Sequence, residues 1–304
     1  VRQQTAPLLS EAVAHYLQLK GMGKAKAFYQ TASRNVGVVI DQLGDRPLCD
    51  YSTVDAGKVR DALIDRGLSV LSVRRTFATL KAVINLAIAE HGLDIRNAFA
   101  AIHMPEAESK KRVSIPVETI RQIQQSCLEH DDDMRWLIAL ISDTGMRLAE
   151  AAGLHVDDIK LDEDIPYVDI KPHPWRSLKT KGSQRQVPLV GASLWAAHRI
   201  RANASSCFAF PRYTDNTRCN ANSASNALNK WLHANFRKDI VIHGFRHAMR
   251  DRLRAVSCPS EMIDQIGGWS SGKVGEGYGE GFRLKQVSKA LLSLRLEAKP
   301  KFHN

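Results

Sequence analysis

The sequence predicts a mainly α-helical protein of two domains, the second carrying a small antiparallel β-sheet. Three observations predict it. The first hundred residues repeat apolar side chains at three- and four-residue spacing. The texture then breaks at residues 104 to 116, MPEAESKKRVSIP, where prolines bracket polar and charged residues with no apolar stripe. Beyond it, PYVDIK and RQVPLV, short and rich in valine and isoleucine, flank the turn-forming TKGSQ. A chain of 304 residues suits about two compact domains.

In chain order, LLSEAVAHYLQLKG, AKAFYQTASRNVGVVIDQLG, TVDAGKVRDALIDRG and SVLSVRRTFATLKAVINLAIAEHG are expected as four helices, with glycines standing where C-terminal caps belong. They make a helical domain over residues 1–104. Arg74, Arg75 and Lys81 occupy the polar side of its longest helix, as a phosphate-facing surface or an ordinary solvated one. Residues 105–116 are expected as a linker and 117–304 as the second domain. There PVETIRQIQQSCLEH, DMRWLIALISDTG and RLAEAAGLHVDDI read as helices, the middle one apolar enough for a core. A hairpin with lysines near its turn follows, then helices at SLWAAHRIRA, ANSASNALNKWLHANF, the HGFRH segment, PSEMIDQIG and LKQVSKALLSLRL. The last carries Val287, Ala290, Leu291 and Leu294 on one face, for its own domain or for a neighbouring subunit.

Composition narrows the function class. Hydrophobic residues at 44% and charged residues at 25% describe a folded, globular chain. No apolar run is long enough to cross a bilayer and no signal-peptide succession opens the chain, so a cytoplasmic location is expected. The five cysteines, Cys49, Cys127, Cys207, Cys219 and Cys258, are scattered without a CxxC pair and are expected as buried, reduced thiols. A net charge of +11 spread along the chain points to a polyanionic partner, because basic surfaces bind phosphate backbones by neutralising charge and releasing counterions.

The chemistry concentrates in VIHGFRHAMRDRLRAV, residues 241 to 256, where His243, Arg246 and His247 crowd the start of a helix. Three readings are open: a metal site, a structural cluster, and a set of hydrogen-bond donors aimed at an anion. The metalloprotease pattern requires a glutamate directly after the first histidine, where Gly244 stands, and a third ligand is not evident. Upstream lies DTGMRLAEAAGL with Arg147, then LKTKGSQRQVPL with Lys179 and Lys181. Downstream lies IGGWSSGKVGEGYGEG with Trp269 and, nine residues later, Tyr278.

This order of motifs, TGMRLAE, KT before a VPL strand, HGFRH, GGWSS and a tyrosine nine residues after the tryptophan, resembles the tyrosine recombinase family of bacteriophage-type integrases over essentially the whole chain. The departure is Trp269 where many members have histidine; either ring donates a hydrogen bond from nitrogen. The resemblance implies a helical core-binding domain followed by an α/β catalytic domain, a double-stranded DNA substrate at attachment or recombination sites, a homotetramer on paired sites, DNA-bending accessory proteins, and neither cofactor nor metal. The chain opens on Val1 rather than methionine, which fits a resemblance to integrases that often carry a further arm-binding domain ahead of the helical one.

It further implies catalytic roles for Arg147, Lys179, His243, Arg246, Trp269 and Tyr278. Arginine forks suit the nonbridging oxygens of a phosphorane-like transition state. His243 and Trp269 would add donors, His243 could also take the tyrosine proton, and Tyr278 would be the nucleophile. Lys179 would protonate the departing 5′ oxygen, with Lys181 as the alternative. Glu150 would support the geometry and His247 brace its helix. The function expected is site-specific recombination, integrating or excising a prophage or mobile element. A type IB-like topoisomerase and a non-cutting DNA-binding regulator of the same fold are the alternatives.

Overall fold

The computed structural model describes residues 6–106, 114–269 and 281–294. The chain divides into two compact units, Val1–Lys111 and Arg112–Asn304.

The first unit is built on four helices, α1 (Leu9–Lys20), α2 (Lys26–Leu43), α3 (Thr53–Asp65) and α4 (Val70–Glu90). Ser52 starts α3 in a capping box: its Oγ accepts from Asp55 N at 3.2 Å while the Asp55 carboxylate accepts from Ser52 N at 3.1 Å. Val73, Phe77, Leu80 and Ile84 of α4 supply a stripe at helical spacing that packs with Leu9, Val36, Val39 and Val59. The chain after α4 folds back, with Phe99 against Phe77 and Tyr51. Arg74 is exposed on this helix, and its Nη2 donates to Pro105 O at 2.9 Å.

The second unit begins before its first helix. Ile115, inside the stretch expected as linker, is buried in this unit's core. Its helices are α5 (Val117–His130), α6 (Asp133–Thr144), α7 (Leu148–Ala152), α8 (Gly191–Ala202), α9 (Ala221–Asn235), α10 (Gly244–Ala255), α11 (Ser260–Gly267) and α12 (Leu284–Leu292). Every residue of α6 from Leu137 to Thr144 is buried, which is why its apolar pattern runs all round rather than as a stripe. It packs against α5, α8 and α10 as the axis of the core.

The sheet has three antiparallel strands in the order β1 (Ile159–Lys160), β2 (Tyr167–Ile170) and β3 (Arg185–Pro188), with Val168 opposite Val187 and Ile170 opposite Arg185. The sequence predicted only the β2–β3 hairpin and one helix through Ile159. That helix stops at Ala152, Gly153 caps it, and a 3-10 turn, Val156–Asp158, leads into β1. The apolar face of α12 docks within its own unit, against β3, burying Val287, Leu291 and Leu294. Among the cysteines Cys127 is buried and Cys219 and Cys258 are half-buried, but Cys49 and Cys207 are exposed, because they lie in surface connections whose anchors are the buried Leu48 and Phe208. None of the five is bonded to another. Among the described residues no helix is long and apolar enough to cross a membrane.

Candidate active site

Two helix ends in the second unit each deliver a backbone carbonyl to an arginine. Gly145 caps α6 in the left-handed conformation at φ 62° and Gly268 caps α11 at φ 58°, a region that favours glycine. Gly145 O accepts from Arg246 Nη1 at 2.8 Å, and Gly268 O accepts from Arg147 Nη2 at 2.8 Å. The residues that follow these glycines are the ones the site uses: Arg147 two positions after Gly145, and Trp269 directly after Gly268.

Arg147 is the N-cap of α7. Its Nη1 donates to Glu150 Oε1 at 2.6 Å and to Ser183 Oγ at 3.0 Å, and Glu150 Oε2 accepts from the Arg147 backbone N–H at 2.9 Å. The Arg147 side chain is 20% exposed, enough to meet an incoming anion. Arg246, on the first turn of α10, is 3% exposed, and its Nη2 has no acceptor among the described residues. Its Cζ lies 4.3 Å from the centroid of the Trp269 ring. Burial, then the nearby charges of Arg147 and Arg185, push Arg246 down to about 9. The expectation for Trp269 was a hydrogen-bond donor; the contact the structure gives it is a ring face under Arg246 and, at 5.1 Å, Arg250.

Arg185, which sequence reading passed over, fastens the site from beneath. It is 8% exposed and donates from Nε to Ile266 O at 2.8 Å, from Nη1 to Ser183 O at 2.7 Å and from Nη2 to Glu150 Oε2 at 2.9 Å. One guanidinium thus joins β3, α7 and the end of α11. Burial raises the Glu150 carboxyl, but the Arg185 charge with hydrogen bonds from Arg185 and Arg147 more than reverses this and holds it below its ordinary value. Arg147, Arg185 and Arg246 face one carboxylate, so the cluster carries an excess of positive charge suited to an oxyanion.

The other expected residues stand as follows. His243 is exposed and is the N-cap of α10, one turn before Arg246. Its ring is 5.0 Å from that of His247 in an edge-on arrangement. Lys179 is exposed in the β2–β3 connection, which reaches Arg147 through Thr180 Oγ1, 2.9 Å from Ser183 Oγ. The structure therefore brings Arg147, Arg246 and Trp269 together, places His243 at the head of the same helix as Arg246, and puts Lys179 on a loop tied to Arg147. Tyr278 and the side chain of Lys181 lie outside the described residues. Among the described residues no three histidine, cysteine, aspartate or glutamate side chains are grouped as a metal site.

Comparison with known proteins agrees with this architecture. Tyrosine recombinase XerC of Neisseria meningitidis serogroup B is 24% identical over 261 residues, covering 82% of this chain and 83% of that one. XerC of Neisseria meningitidis serogroup C, serotype 2a, is 25% identical over 231 residues, 73% of this chain and 72% of the relative. The fold is shared with the Tn1549 transposon integrase in complex with circular intermediate DNA, at TM-score 0.70 and 16% identity over 94% of this chain and 99% of that one. It is also shared with a lambda integrase tetramer bound to a Holliday junction, at TM-score 0.66 and 17% identity over 90% and 81% of the two chains. The model of the phage integrase family matches residues 114–279, more than half of the sequence and all of the arginine cluster, and the chain belongs to the phage integrase family.

Proposed function

We propose that this chain is a site-specific DNA recombinase that cleaves and rejoins DNA through a 3′-phosphotyrosyl intermediate. The observation that carries the reading is the convergence of Arg147, Arg246 and Trp269 beside a single buried carboxylate, an arrangement with cationic donors to spare. Charge of that sign suits a scissile phosphodiester, whose nonbridging oxygens gain negative charge in the transition state. The Tyr278 oxygen attacks phosphorus, forming the tyrosyl ester and breaking the bond to the 5′ oxygen. His243 takes the tyrosine proton and Lys179 gives one to the departing 5′ oxygen. One phosphoester replaces another, so the free 5′ hydroxyl of a second strand can reverse the step and reseal.

The substrate is double-stranded DNA, and the net charge of +11 supplies affinity for its backbone. A homotetramer on paired sites is supported by the lambda integrase tetramer on a Holliday junction, and DNA-bending proteins are the accessory partners we assign to it. Integration or excision of a prophage or mobile element is the role we assign, with residues 1–104 as the core-binding domain, a linker from 105 that ends before the buried Ile115, and the chain from Ile115 to 304 as the catalytic domain.

The test is a nicked suicide substrate carrying the element's attachment sequence, incubated with EDTA and resolved on a denaturing gel. Protein attached to DNA is expected with the native chain and absent with Tyr278→Phe, while binding is retained. Tight binding with no adduct from the native chain would identify a non-cutting regulator, and site-independent relaxation of supercoils by single protomers a topoisomerase.

A further inference from the structure

The β2–β3 connection opens with Lys171, Pro172, His173, Pro174, Trp175 and Arg176, a stretch that none of the roles above uses. His173 and Arg176 exchange both backbone hydrogen bonds at 3.0 Å, closing a two-residue turn on Pro174 and Trp175. Pro174 suits that turn because its φ is fixed in advance. The His173 and Trp175 rings stack at 4.5 Å with planes 6° apart, and Phe208 meets the Trp175 ring edge-on at 5.0 Å. One side of the turn is fixed to Asp158, 1% exposed, which pairs with His173 Nε2 at 2.6 Å and Lys171 Nζ at 2.9 Å.

The other side is fixed to the end of α7. Gly153 O accepts from Trp175 Nε1 at 3.0 Å and from Arg176 Nε at 3.3 Å. Arg176 lies so close to Gly153 that a Cβ there would stand 2.9 Å from its Cδ and Nε. A cation at this end of α7 complements the helix carbonyls, at the opposite end from Arg147. Arg176 is 4% exposed and neither terminal nitrogen has an acceptor among the described residues, an arrangement costly to retain for packing alone.

Lys179 is three residues beyond Arg176, and the next residue, Thr180, is bonded through Ser183 to Arg147. We propose that the HPWR turn, residues 173 to 176, is a positioning element that sets Lys179 against the helix bearing Arg147. Trp175 and Arg176 act through Gly153 O, and His173 acts through Asp158. The proposal rests on Lys179 being the proton donor to the 5′ oxygen. Without the turn, that lysine's loop keeps Leu178 against the core and Thr180 beside Ser183 but loses its tie to the end of α7, and proton delivery suffers while the arginine clamp on phosphate persists.

The test uses two suicide substrates differing in one atom, the 5′ bridging oxygen or sulfur in its place. A thiol of pKa about 8.5 leaves as the thiolate and needs no proton. Arg176→Ala and Trp175→Phe, which keeps the ring and removes its N–H, are compared with Lys179→Ala and Arg147→Ala in single turnover on the full chain, with melting temperatures recorded. The proposal expects Arg176→Ala to cleave the oxygen substrate at least tenfold slower and Trp175→Phe severalfold slower. Sulfur should restore both to near the native rate, as it restores Lys179→Ala, while Arg147→Ala stays slow on either substrate. Slow cleavage of both substrates by Arg176→Ala beside a rescued Lys179→Ala would overturn the positioning role, as would native rates on oxygen. A Lys179→Ala chain that sulfur does not rescue would instead remove Lys179 as the donor, and with it the premise of the proposal.

Discussion

The guanidinium carbon of Arg246 lies 4.3 Å from the centroid of the Trp269 ring, while Arg246 Nη1 donates to Gly145 O at 2.8 Å. The indole thus holds an arginine against a carbonyl that terminates a different helix. A desolvated cation over an indole is worth about 2 kcal/mol, so Trp269→Ala should slow single-turnover cleavage by about thirtyfold. Trp269→Phe, which keeps a ring face, should lose a few-fold at most. Equal losses for the two variants would assign the effect to the indole N–H instead.

Oxyanion binding should report the depressed Arg246. The group is charged below about 9 and neutral above, so sulfate affinity, read as the rise in melting temperature at constant ionic strength, should be level from pH 7 to 8 and fall beyond about 9. A bound anion favours the charged form and moves the fall to higher pH. The unfolded chain keeps this proton to higher pH, so above about 9 the anion-free fold gains stability from this group as pH rises. Arg246→Gln should flatten both dependences.

Glu150→Gln removes the charge that Arg185 and Arg147 share. A buried arginine left without its counter-charge costs roughly 3–5 kcal/mol, which urea unfolding at neutral pH would measure. Glu150 is held below its ordinary 4.5, so its stabilisation is fully present above that value and is lost as pH falls through the lower folded value. The Gln variant should accordingly show a shallower loss of stability on the acid side of pH 4.5 than the native chain.

Gly145→Ala and Gly268→Ala test the two carbonyl anchors. Each glycine has positive φ, and a Cβ would stand 2.9 Å from Met249 Cγ in the first case and 2.8 Å from Arg185 Nη1 in the second. Left-handed strain alone costs roughly 1–2 kcal/mol, so both variants should melt lower and cleave more slowly. Gly37→Ala is the contrast: it lies within α2 with open space around it, and alanine there should stabilise by about 0.5–1 kcal/mol. Melting temperatures of the three variants and single-turnover cleavage rates of the first two are the measurements.

The long helices were legible because their packing is written in local periodicity, as with Val73, Phe77, Leu80 and Ile84 along α4. The stretch from Arg147 to Ile159 was not, because five residues of helix, a 3-10 turn and a two-residue strand each end before their pattern can repeat twice. Arg147, Arg246 and Trp269 were found through a motif order, and the structure joins them. Arg185 was missed because Glu150 and Ile266, the partners that tie it to other elements, are distant in sequence, Ile266 being 81 positions away. An arginine two residues before the VP pair, opening β3, was the available signal, and nothing local distinguishes it from a surface residue. Ile115 hid for a related reason: one apolar residue in a proline-bracketed run carries no period. Tyr278, singled out by spacing, falls outside the described residues.

The two arginines expected to grip phosphate take their bearings from Gly145 O and Gly268 O, which are main-chain atoms. Every residue has a carbonyl, so no side-chain replacement deletes these acceptors; what a replacement can do is rotate them out of place. For these two bonds the glycines that turn the backbone matter more than the side chains around them. The carbonyl anchors stay in place wherever those two turns survive, while Glu150, Ser183 and Trp269 hold the same arginines through their side chains.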